Sequence, residues 1–135
     1  MVESMYGNNQ VHPDSMQMKV ELHISCRKLK NLDILTKSDP QVIMYIQNEK
    51  SKQWVQFGKT ELINDNLNPD FIQYFTVAYQ FEKHQRLRFE VLDIDIAGTT
   101  EFIGYIETSM GQVMGAKQQA YIAELKHDQS RGKRG

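Results

Sequence analysis

A single cysteine in 135 residues, Cys26, leaves no internal disulfide possible. It sits in an alternating apolar run, where a reduced, buried thiol is the expected state. No Asn-x-Ser/Thr sequon occurs. Residues 1–14 hold no apolar h-region, so no signal peptide is expected. No apolar run approaches the length of a bilayer span. These absences point to a reducing compartment, most simply the cytoplasm, and to peripheral membrane contact if there is any. Charge excess of either sign is missing too. The net charge of −1 does not ask for nucleic acid, so where the charges fall matters more than their sum. No helical metal-binding histidine pair and no G-x-S-x-G elbow is found, and nothing in the chain indicates an enzyme.

What is present is ordinary globular composition, 40% hydrophobic and 24% charged, on a length that suits one domain. Residues 1–17 are polar and aperiodic and read as a loose arm. Then the chain becomes a series of strands. In 19–26, Val20, Leu22, Ile24 and Cys26 alternate with Lys19, Glu21, His23 and Ser25. Residues 40–47 are β-branched and aromatic. Residues 53–63 hold Trp54, Val55 and Phe57, with Gly58 a candidate bulge. Residues 71–81 are aromatic-rich. In 86–92, Leu87, Phe89 and Val91 alternate with Arg86, Arg88 and Glu90. Residues 102–108 and 121–125 complete the series, and only 109–119 reads as a short helix, limited by Gly111 and Gly115. Many short strands joined by loops of several residues predict an all-β fold, an antiparallel β-sandwich over 18–126 with one short helix. Residues 127–135, HDQSRGKRG, read as a basic linker toward a following domain.

Five acids fall in two loops. Asp33 and Asp39 follow the first strand (NLDILTKSDP), and Asp93, Asp95 and Glu101 follow the 86–92 strand (VLDIDIAGTTEFIG). Loops at one end of a sandwich converge, and Asp93 and Asp95, two apart at a strand end, point to one side. Five carboxylates in a small volume raise one another's pKa unless a cation neutralises them. Oxygen-only ligands on flexible loops favour Ca2+ over Mg2+, which demands a rigid octahedron. Removing the five leaves 12 acids against 16 bases, an acidic tip on a basic body.

Rival motifs fail on detail. DIDIAG (93–98) begins like an EF-hand loop, but Ala97 stands at its fifth position and Gly104 where a bidentate Glu is required. Gly58-Lys59-Thr60 ends like a P-loop, but Gln53 replaces its first glycine and no helix follows. Asp93 and Asp95 as a glycosidase pair lack any sign of a sugar cleft.

The aspartate pattern, Ser38-Asp39-Pro40, Lys59-Thr60, Asn68-Pro69 and Phe102-Ile103-Gly104 together resemble C2 domains. VELHISC, LTKSDP, QWVQFGKTE, LNPDF, FEKHQRLRFEVLDID and SMGQVMG are more narrowly similar to the first C2 domain of copines, over about residues 18–126. The resemblance implies an eight-stranded sandwich, and a second C2 domain and a von Willebrand A-like domain beyond the basic tail. It places the Ca2+ ligands on Asp33, Asp39, Asp93, Asp95 and Glu101, with the backbone carbonyls of Leu32 and Ile94. Glu101 departs from the family, where many members have aspartate, and the third loop is shorter than in many copines.

The resulting expectation is a calcium-dependent phospholipid-binding module, monomeric as a domain, that moves from the cytoplasm to the plasma membrane or other anionic membranes when calcium rises. Ile34 and Leu35 in the first loop and Ile96 and Ala97 in the third are candidates for insertion, and Lys37 for headgroup contact. The alternative is a calcium-independent protein-interaction domain that uses the sandwich face and exposed strand edges; protein targets of a full-length copine are compatible with either.

Overall fold

The computed structural model describes residues 2–12, 17–31, 37–95 and 97–128, the first of these segments by its backbone alone. It contains β1 (Val2–His12), β2 (Gln17–Ile24), β3 (Pro40–Gln47), β4 (Trp54–Lys59), β5 (Phe75–Gln80), β6 (Arg86–Ile94), β7 (Thr100–Ser109), α1 (Met110–Met114) and the two-residue β8 (Ala120–Tyr121). Two four-stranded antiparallel sheets form, ordered β5-β2-β1-β8 and β4-β3-β6-β7. The count of eight is thus seven strands of ordinary length and a two-residue remnant of the strand expected at 121–125. Among the described residues no helix is long and apolar enough to cross a membrane.

The core lies between the sheets. Val20, Leu22 and Ile24 of β2 face Val42 and Met44 of β3, and Leu87, Phe89 and Val91 of β6, all nearly inaccessible to water. The period-2 alternation seen in the sequence puts these side chains on one face and is why the strands form where they do. Between β3 and β4 the register slips at Phe57, so that Tyr45 faces Gln56 and Met44 faces Gly58. Gly58 lets the bulged strand approach its neighbour, since a Cβ there would stand 3.1 Å from the Phe75 ring. α1 begins where Ser109 caps it, its hydroxyl accepting from Gln112 N–H at 3.2 Å, and buries Met110 and Val113.

One expectation requires correction. Residues 2–12 of the supposed arm are β1, paired to β2 on one side and β8 on the other. Backbone pairing needs no apolar pattern, so a polar strand between two others leaves little trace in the sequence. The polar face of β6 is withdrawn from water at its centre. Arg88 and Glu90 are fully buried on the side of the sheet away from the core. Arg88 Nε donates to Glu90 Oε2 at 2.8 Å, its Nη1 donates to Glu107, and its guanidinium lies 4.0 Å above the Tyr105 ring.

Candidate functional site

The sandwich gathers its acids at one end through backbone register. Pro40, the first residue of β3, stands opposite Asp93 near the end of β6, and Asp93 stands opposite Glu101 in β7. Asp39 is therefore delivered beside Asp93, whose Oδ1 accepts from the Asp39 N–H at 2.9 Å, while Ile94 N–H donates to the Asp39 carbonyl at 3.1 Å. Asp93 is 2% exposed. Like charges directly opposite on neighbouring strands, as Asp93 and Glu101 are, repel.

Asp95 lies one residue past β6 in a turn that it organises. Its Oδ1 accepts from Thr99 N–H at 2.8 Å, and its carbonyl accepts from Gly98 N–H at 2.9 Å. Gly98 has a φ of 84°, a left-handed conformation that glycine adopts without strain. Asp95, Ala97 and Glu101 are exposed.

A further acid joins this end that the sequence reading did not single out. Asp65, in the connection from β4 to β5, donates its N–H to Asp39 Oδ1 at 2.6 Å and accepts from Lys37 N–H at 2.6 Å. The signal for it was the run NDNLNPD (64–70), a loop of Asx and proline residues that returns to the same end as Asp39.

Asp33, the Leu32 carbonyl, and the proposed inserting residues Ile34, Leu35 and Ile96 lie outside the described residues. Lys37 is exposed, as a headgroup contact requires. Among the described residues no group of three or more His, Cys, Asp or Glu side chains is drawn together as a finished metal centre. The donor chemistry nevertheless fits a hard cation. Among the described residues Asp39, Asp93, Asp95 and Glu101 take part in no salt bridge, and the buried Asp93 carboxylate is held by one backbone N–H. A carboxylate withdrawn from water without a cationic partner is unfavourable, and an oxygen-seeking cation relieves it.

A family model described as the C2 domain matches residues 18–125. Copine-E of Dictyostelium discoideum is 39% identical over 113 residues, which is 80% of this chain and 20% of that protein. The chain spans about a fifth of the length of the copines it matches. Among solved structures, BON1-C2B superposes with a TM-score of 0.62 at 21% identity, covering 80% of this chain and 75% of that one. A calcium-bound structure of two C2 domains of extended synaptotagmin 2 gives 0.55 at 22% identity, covering 71% and 35%. At these identities the structural matches speak for the fold, an antiparallel sandwich with its loops gathered at the ends.

Proposed function

The chain belongs to the C2 domain family, with copines among its relatives, and on that premise we propose that it is a non-catalytic, calcium-dependent module that binds anionic phospholipid membranes. The observation that carries the reading is the set of acids at one end, Asp39, Asp93, Asp95 and Glu101, that form no salt bridge among the described residues, with Asp93 buried. The proposed calcium ligands are Asp33, Asp39, Asp93, Asp95 and Glu101, with the carbonyls of Leu32 and Ile94. Bound Ca2+ supplies the positive charge that turns a tip repelled by an anionic leaflet into one attracted to it.

The chain's own residues do the rest. Asp93 and Asp39, tied to each other through a backbone N–H, fix the inner part of the site. Asp95, on a turn closed by Gly98 and Thr99, and the exposed Glu101 form its outer part. Ile34, Leu35, Ile96 and Ala97 supply apolar area to the bilayer, and Lys37 meets headgroups. The protein is cytoplasmic at low calcium in this reading and moves to the membrane when calcium rises. The 1–17 segment and the 127–135 linker flank the module, although β1 and the docking of His127 and Asp128 on β7 shorten both.

Sedimentation with phosphatidylserine vesicles tests the proposal. The protein is expected in the pellet with calcium and in the supernatant with chelator; equal pelleting in both overturns calcium dependence. A calcium-independent protein-interaction role is the second reading. It is favoured by the exposed Val55, Phe57 and Ile72 along the free β4 edge and the connection that follows it, Ile72 being 85% exposed.

A further inference from the structure

The two sheets have four edge strands among the described residues, and three of them are protected. β8 is two residues long, β4 carries the bulge at Phe57 and ends on Lys59, and β7 is bridged at Tyr105 by Lys126. β5 has none of these devices. It pairs with β2 from Phe75 to Gln80 without a register shift. The run around it, FIQYFTVAYQF (71–81), is the longest in the chain without a charged residue and holds no glycine or proline. A neutral, regular edge of β-forming residues invites another strand.

Backbone direction shows which groups that edge offers. Phe71 N–H donates to the Ile24 carbonyl at 3.1 Å and Cys26 N–H to the Pro69 carbonyl at 2.9 Å, so Ile24 turns its carbonyl toward the β5 side. By alternation Leu22, Val20 and Met18 do the same, and they stand opposite Phe75, Val77 and Tyr79. Thr76, Ala78 and Gln80 therefore turn their N–H and C=O groups outward. Side chains from the flanking connections occupy the two ends of this edge. The Gln85 carboxamide acts as a partner strand's peptide group would: its Oε1 accepts from Gln80 N–H at 3.2 Å and its Nε2 donates to the Ala78 carbonyl at 2.9 Å. The Glu61 carboxylate accepts from Ile72 and Gln73 N–H at 2.7 and 3.0 Å, just ahead of the strand. Between them Thr76 is exposed, and its outward backbone groups meet no partner among the described residues.

We propose that β5 is a latent self-pairing edge, held shut by Gln85 and Glu61. Its occupant when unguarded is a second copy of this chain, antiparallel across a two-fold axis at Thr76. That register sets Thr76 opposite the copy's Thr76, Ala78 opposite its Tyr74, and Gln80 opposite its Ile72. It calls on groups that the guards now cap, namely the Ala78 carbonyl and the N–H groups of Gln80 and Ile72. Self-pairing suits a neutral strand. A charged strand would meet like charge across the axis, while an acidic or basic partner finds no counter-charge here. The edge uses none of the acids at the tip, so it stands apart from calcium binding.

The test uses the 135-residue chain in chelator, followed by sedimentation velocity and amide hydrogen exchange. The unaltered chain is expected to be a monomer in which Thr76 and Ala78 exchange fast and Ile72, Gln73 and Gln80 about tenfold or more slowly than these. Gln85→Ala with Glu61→Ala should self-associate at least about tenfold more tightly, since each freed backbone bond acts twice across the axis, and Thr76 and Ala78 should then be slowed. Adding Thr76→Lys, which sets one ammonium group opposite another, should restore the monomer. Slow exchange at Thr76 in the unaltered monomer overturns the proposal. So does a double variant no more associated than the unaltered chain, or an association that Thr76→Lys leaves intact. A double variant that stays monomeric but takes up a capped Thr–Val peptide assigns the edge to a foreign strand and likewise overturns it. Should Glu61→Ala fail to fold, Gln85→Ala alone and the exchange pattern of the unaltered chain decide.

Discussion

The molecule holds acids in two opposite conditions. On the outward face of β6, Glu90 and Glu107 surround Arg88, and Arg86 reaches Glu107 at 3.8 Å. At the tip, Asp39, Asp93, Asp95 and Glu101 have only backbone N–H groups or solvent for company among the described residues. Asp93 and Glu90 are equally withdrawn from water, both on the same strand three residues apart. One has its counter-charge built into the fold. The other is left to take it from solution, and that difference separates a structural acid from one able to respond to a cation.

The largest effect expected from breaking this contrast is at the paired end. Arg88→Met removes the cation held against the buried Glu90 and should cost about 3–5 kcal/mol. Urea unfolding measures it; a loss below about 1 kcal/mol would mean that the pair is not desolvated as the burial indicates. Replacing Arg88 and Glu90 together by apolar residues of like volume should recover most of the loss.

At the tip the effect comes from adding a charge rather than removing one. Calcium at a hundredfold excess over its Kd should stabilise the chain by about 2.7 kcal/mol, because it binds the native state only. An unchanged Tm between millimolar-range calcium and chelator contradicts the assignment. Ile34→Ser with Ile96→Ser should weaken vesicle binding at matched calcium by roughly 2–4 kcal/mol if both side chains insert fully. The apo Tm should stay where it was, and a fall would show that these residues pack instead.

Within the tip, Asp93→Asn should reduce calcium affinity more than Glu101→Gln. Asp93 is buried and tied to Asp39, while Glu101 is exposed at the edge. Calorimetry on both variants ranks them. In chelator, Asp93→Asn should leave Tm unchanged or raise it, since it removes an unpaired buried charge.

The smallest effect lies at Glu61, an intermediate case. Partial burial would raise its pKa, but backbone N–H groups of Ile72 and Gln73, at 2.7 and 3.0 Å, outweigh that and hold it below the ordinary glutamate value. A depressed folded pKa contributes stability above the unfolded pKa, lost as pH falls through the folded one. Glu61→Gln should therefore flatten the acid side of the stability–pH curve slightly, and an unchanged curve would show those bonds to be neutral in effect.

Much of this was legible in the residues. The alternation in 19–26 and 86–92 marked strands and core face together, because burial on one side of a pleat imposes period 2. The short helix, Met110–Met114, lies within the 109–119 stretch read as helical, and Gly115 caps its end. The strand at 121–125 shrank to two residues because nothing among the described residues pairs with 123–125. The burial of Arg88 and Glu90 was not legible, since the same alternation arises whether polar residues meet water or one another. Asp65 carried no periodic signal at all.

Spacing along a single strand or turn encodes the sandwich, its inward face and the grouping of acids into two loops. Which of the acids are neutralised depends instead on how distant strands pack. Asp93 and Glu90 are alike in residue chemistry and sit three positions apart. What distinguishes them is which residues of the same two strands lie alongside: β7 sets Glu107 and Tyr105 around Arg88, whereas at Asp93 it sets Glu101 opposite and β3 brings Asp39 beside. Pairing across strands is set by long-range register, and no local pattern in the sequence records it.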